Sequence, residues 1–196
     1  MTAIFPFHYA LSEALVAAAA ALGISSLIPR NRMGAAGLLP FGLAGLIGAV
    51  QIAAGLTGSV ATFHQFLSRS GAVFGLICLI GALMPQRDWR YPAAGLLAAG
   101  LVAVVPAVGM PLFALLMLGG VILVYRRAPE GSAVMAASGF GLLVIAQVVT
   151  ASLRPAHPDL AWHAFHVLVA AWLLIAAMLV PLCGGSKRAG YATASD

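Results

Sequence analysis

Charge is scarce in this chain. Of 196 residues only 8% are charged, with Asp+Glu 5 against Lys+Arg 10. A soluble domain carries roughly a quarter charged residues to solvate its surface, so a water-facing domain of this length is excluded. No basic run exceeds two residues. The net charge of +5 therefore does not mark a nucleic-acid binder. Cysteine is equally sparse. Cys78 and Cys183 supply neither metal-ligand spacing nor a disulfide framework, and they read as small buried packing residues. No basic segment precedes the first apolar run, which argues against a cleaved signal peptide. Sequence repeats and a separate soluble domain are also missing.

What is present is apolar. The hydrophobic fraction is 62% and the mean hydropathy +1.04. An apolar run of about 18 residues or more can cross the hydrocarbon core as a helix. Seven such segments are expected at 8–27, 35–56, 60–84, 92–108, 111–126, 132–152 and 159–183. The fourth and fifth are short. They meet at Val105-Pro106-Ala107-Val108-Gly109-Met110-Pro111, where two prolines and a glycine favour a turn over a continuous helix. The fold class is thus all-α: a single seven-helix transmembrane domain over 1–185 with a short polar tail at 186–196.

Basic side chains orient this bundle, because cytoplasmic loops collect Lys and Arg. With seven spans, Arg30, Arg32, Arg87, Arg90, Arg126, Arg127, Lys187 and Arg188 all fall on one side. Only Arg154 falls on the other, and Arg69 lies inside the third span. This places the N-terminus outside and the C-terminus in the cytoplasm of a multi-pass cell-membrane protein, with the bacterial inner membrane as the expected location. Gly71 and Gly75, and Gly42, Gly45 and Gly48, recur at close-packing intervals and read as contacts within the bundle.

Ionisable groups inside a span are costly and ask for a reason. At 1.5 Å per residue, Glu13 lies about 8 Å below the outer end of its helix, His64 and His163 about 6 Å and His166 about 10 Å. Three helices thus bring four such groups to one depth, in the outer leaflet. His163 and His166 share a helix face. With His64 they could form a three-histidine zinc site whose fourth position holds a nucleophilic water, and Glu13 could orient a ligand or act as general base. Two alternatives stay open. The histidines could be hydrogen-bonding residues of an interfacial belt that includes Trp162, or His64 with His163 or His166 could hold a haem. Arg69 reads either as the ion-pair partner of Glu13 or as an anchor for a lipid phosphate or carboxylate. Gln51 and Gln147 are expected to make interhelical hydrogen bonds.

Gly58-Ser59-Val60-Ala61-Thr62-Phe63-His64 early in one helix and Trp162-His163-Ala164-Phe165-His166-Val167-Leu168 in the last resemble the CREST superfamily of seven-helix proteins, the alkaline ceramidases and progestin/adipoQ receptors. The resemblance implies zinc on His64, His163 and His166, a role for Ser59, and hydrolysis of a lipid amide or related bond. The spacing departs from that pattern: Ser59 precedes His64 by five residues, the last helix carries His-x-x-His, and an Asp is missing from spans 2 and 3. Two functions follow. The first is a metal-dependent hydrolase of a lipid-like substrate, with Glu13 and Ser59 catalytic and Arg69 binding substrate. The second is a non-catalytic bundle that binds a hydrophobic ligand or cofactor, or serves as a subunit of a larger membrane complex. Membrane lipids are the expected partners, and self-association stays open.

Overall fold

A computed structural model of the chain describes residues 6–85 and 88–184. Arg87, Lys187, Arg188 and the tail at 186–196 lie outside the described residues. Among these residues all regular structure is helical. In chain order the helices are α1 (His8–Leu27), α2 (Arg32–Ala53), α3 (Ser59–Leu83), α4 (Arg90–Val104), α5 (Gly109–Arg127), α6 (Ala133–Leu153) and α7 (Pro158–Gly184). All except α4 are long and apolar enough to cross a membrane; α4 is a shorter apolar helix of 15 residues. The outer surface suits lipid: Leu97, Val104, Leu115, Met135 and Met178 are all exposed.

The ends of the helices follow local chemistry. Asn31 accepts from the Gly34 N–H at 2.9 Å and so caps α2 three residues earlier than expected. Its Nδ2 also donates to the Ala82 carbonyl at 3.1 Å, which ties the start of α2 to the end of α3. Gly58, at φ +64°, turns the chain into α3. The turn between α4 and α5 is tighter than expected. A 3₁₀ turn at Pro106–Val108 links the helices, and Pro111 lies inside the first turn of α5. There the missing N–H of proline is no loss, because that group has no intrahelical partner.

Two irregularities face each other in the bundle. α2 carries a buried Pro40 in its interior. α3 widens into a π-helical turn over Leu67–Gly71. A Cβ on Gly71 would come within 2.9 Å of the Pro40 ring. Four residues on, Gly75 sits against the Gly37 carbonyl and the Phe41 ring. The paired glycines of α3 therefore pack inside the bundle, as their spacing suggests.

The helices alternate in direction. At one end Asn31 reaches Ala82, Arg127 donates to the Leu83 carbonyl at 2.6 Å, and Tyr91 packs on Gly81. α4 then runs back along α3, with Gly95 beside Phe74, and Val102 reaches the other end, where it meets Gly109. The core between the ends is built around Trp172, fully buried, whose Nε1 donates to the Phe140 carbonyl at 2.8 Å and joins α7 to α6. Cys78 and Cys183 are free thiols buried in this packing.

Candidate functional site

α1 and α7 pack closely, and three polar rungs climb their interface. The Tyr9 hydroxyl donates to Asp159, and the Tyr9 ring stacks on Trp162 with centroids 4.6 Å apart. Next, the Ser12 hydroxyl is hydrogen-bonded to Nδ1 of His163. Deepest is Glu13, whose Oε1 lies 3.2 Å from Nε2 of His166. From α3, His64 brings its Nε2 to 3.6 Å from the same oxygen. One buried carboxylate is thus held between two imidazoles from different helices.

Room for that carboxylate comes from α2. A Cβ on Gly48 would lie 2.7 Å from Glu13 Cδ and within 2.9 Å of both carboxylate oxygens. Gly45 likewise lets the α1 backbone approach, since its Cβ would meet the Glu13 carbonyl at 2.8 Å. The glycine stripe of α2 therefore packs α1 and seats its carboxylate.

Hydrogen bonding decides where protons must be. Nδ1 of His166 lies 2.7 Å from the Trp162 carbonyl. A carbonyl can only accept, so Nδ1 carries the proton. Nε2 of a neutral His166 would then present a lone pair to an ionised Glu13, two acceptors face to face. The contact is attractive only if a further proton lies between them, on either partner. Glu13 and His166 thus form one buried carboxylate–imidazole pair, the Glu13–His166 unit. His64 has one nitrogen toward Glu13 and makes no side-chain hydrogen bond through Nδ1 among the described residues, which leaves that nitrogen to a ligand or water.

The cluster forms part of the wall of a cavity of about 550 Å³, within the range of small-molecule sites. All seven helices contribute. On α6 the lining runs from Leu143 toward Arg154 just beyond its end, about 16 Å of chain. Apolar residues, among them Phe41, Ala44, Phe113 and Val169, share the wall with Ser68, Gln147 and Thr150.

The sequence-predicted site residues are only partly brought together. Glu13, His64 and His166 meet. His163 does not join them; its ring is engaged by Ser12 and lies against His8, with centroids 5.1 Å apart. Among the described residues no three His, Cys, Asp or Glu side chains are grouped to hold a metal ion. His64, His163 and His166, the set expected to hold zinc, are not such a group among the described residues. His64 and His166, one of the two pairs expected for haem, both turn Nε2 toward the same Glu13 oxygen. Ser59 is exposed at the start of α3 and does not line the cavity. Arg69 does line it, but makes no ion pair with Glu13. Gln51 is buried, and among the described residues its Oε1 has no hydrogen-bond partner, so it does not join described helices through that atom.

Ser12, Gly48 and Arg154 are residues of this site that the sequence does not single out as such. Tyr9, Ser12 and Glu13 lie at helical spacing on α1, as do Asp159, Trp162, His163 and His166 on α7. That matched periodicity was the available signal. No family model, curated protein or solved structure matches the chain.

Proposed function

We propose that the chain is a seven-span membrane protein, N-terminus outside and C-terminus cytoplasmic, that hydrolyses an ester or amide bond of a lipid-like substrate at outer-leaflet depth. The observation that carries this reading is the Glu13 carboxylate between His64 and His166 in the wall of a cavity lined by every helix. Orientation is supported by charge: Arg30, Arg32, Arg90, Arg126 and Arg127 belong to the Asn31 end, and the cluster belongs to the other. The CREST resemblance supports the reading as well, since it matches His64 to its early histidine and His166 to the second histidine of its last helix.

In this reaction His64, oriented by Glu13 as a base is oriented by a carboxylate, takes a proton from water. The oxygen of that water adds to the carbonyl carbon of the substrate. The leaving oxygen or nitrogen receives its proton from the Glu13–His166 unit as the bond to carbon breaks. The proton on His64 returns to the unit and closes the cycle. Positioned acid–base groups of this kind contribute about 10²–10⁴-fold.

The test is turnover of a panel of fluorogenic acyl esters and acyl amides by purified protein in neutral detergent. Glu13→Gln and His64→Asn should each lower the rate by about 10²-fold or more. A folded protein that turns over none of the panel, or variants as fast as the parent, would overturn the reading. A second reading, ligand binding without turnover, is favoured by one observation: Ser59, the hydroxyl the resemblance assigns to catalysis, lies outside the cavity.

A further inference from the structure

We infer that the cavity selects an anionic amphiphile, an alkyl chain bearing an oxyanion head, which Arg69 and Arg154 receive. This rests on the reading of the cavity as the substrate site, and it names the class: an acyl ester or amide that also carries a carboxylate or phosphate. The observation behind it is an imbalance of charge. Both arginines line the cavity, from two different parts of the bundle, and both are exposed. Neither makes an ion pair among the described residues. Among the described residues, the acids at this end of the bundle are already engaged. Glu13 is held by two imidazoles and Asp159 by Tyr9. Asp88 pairs with Arg90 at the opposite end.

The π turn is what makes Arg69 available. In a regular α-helix residues five apart diverge by about 140°, so His64 and Arg69 would point to different surroundings. The wider turn over Leu67–Gly71 reduces that divergence, and both residues line one cavity. Such turns occur frequently at functional sites. Arg69 lies about 15 Å along α3 from Ser59, a depth at which an unmatched guanidinium is expensive and calls for a partner. With the nearby acids already engaged, the ligand is the source of the anion. The chain attached to that anion has an apolar wall to pack on: Phe41, Phe113, Leu143 and Val169. Guanidinium is also the group best matched to bidentate capture of a carboxylate or phosphate.

The experiment is native mass spectrometry of the full chain in a neutral maltoside detergent. The probes are oleate, oleoyl lysophosphatidate, the neutral monoolein of the same chain length, and inorganic phosphate. Oleate has no bond to hydrolyse, so its binding is read whether or not the protein turns anything over. We expect one molecule of oleate, of lysophosphatidate, or of each to bind per chain, with monoolein at least about tenfold weaker, a difference near 1.4 kcal/mol. Arg69→Gln and Arg154→Gln should each weaken the acid by about tenfold and leave monoolein unchanged, while Arg69→Lys should retain part of the preference. Oleate alone would identify a carboxylate head, and lysophosphatidate alone a phosphate head. Equal binding of monoolein and the acids, or arginine variants with the parent's preference, would overturn the inference. So would inorganic phosphate binding as well as the amphiphiles, since the chain would then contribute nothing. Selective binding of oleate with no hydrolysis of the ester and amide panel would leave this inference standing and remove the hydrolase.

Discussion

His166 is clamped at both ring nitrogens: its Nδ1 is held by the Trp162 carbonyl 2.7 Å away, and its Nε2 faces Glu13 Oε1 at 3.2 Å. The first contact is one turn back along the same helix. The second crosses to α1. The ring therefore has a single usable tautomer and a single direction, which is the condition for holding a proton at a defined place.

Breaking that pair from one side should cost more than removing it whole. Glu13→Leu alone leaves His166 buried without its partner across the interface; a lone member of a buried pair costs about 3–5 kcal/mol. His166→Leu alone should cost a similar amount. The double variant should recover a large part of either loss, because the pair is then replaced by apolar side chains on both helices. Thermal unfolding in detergent of the four proteins reads the coupling.

Gly48→Ala is expected to abolish most of the hydrolysis without changing any ionisable group. Its methyl would lie 2.7 Å from Glu13 Cδ and must push the carboxylate off both imidazoles. Gly100 in α4 is the control, because a Cβ there meets nothing within 4 Å. Gly100→Ala should leave the rate unchanged and stabilise the helix by up to about 1 kcal/mol. Rates and melting temperatures of the two variants give the comparison.

The two histidines of α7 should separate in function. His166→Ala removes the partner of Glu13 and should lower turnover by about 10²-fold or more. His163→Ala removes a hydrogen bond to Ser12 outside the cavity wall and should act mainly on stability, by about 1–2 kcal/mol. Chelators should leave the parent's rate intact if the acid–base route operates. A rate that collapses on chelation and returns with zinc would point instead to a metal on this cluster.

Single cysteines introduced into a background lacking Cys78 and Cys183 should report the orientation. Positions 57, 107 and 156 should react with an impermeant maleimide from outside the cell. Positions 30 and 127 should react only after the membrane is opened. Labelling of 107 from the same side as 127 would mean that α4 and α5 do not each cross.

The sequence by itself determined the helical, apolar character of this chain and most of its segment boundaries to within two residues, though α2 lies three residues earlier and α4 ends four residues earlier than expected. Those properties are local: an apolar run long enough to span, a proline, a glycine or an arginine pair to end it. That Glu13, His64 and His166 come to one level was legible for the same reason, since rise per residue converts position into height; His163 sits one rung away, against Ser12. Azimuth was not. Which imidazole turns to Glu13 depends on how α1, α3 and α7 rotate against one another, and that rotation depends on packing between helices, as at Gly45 and Gly48. Only the tertiary structure could therefore send His163 to Ser12 and His166 to Glu13, although the two are three residues apart. Arg69 shows the same limit from the other side. Regular helix geometry directs it away from His64, and a π turn packed on Pro40 brings both to one cavity.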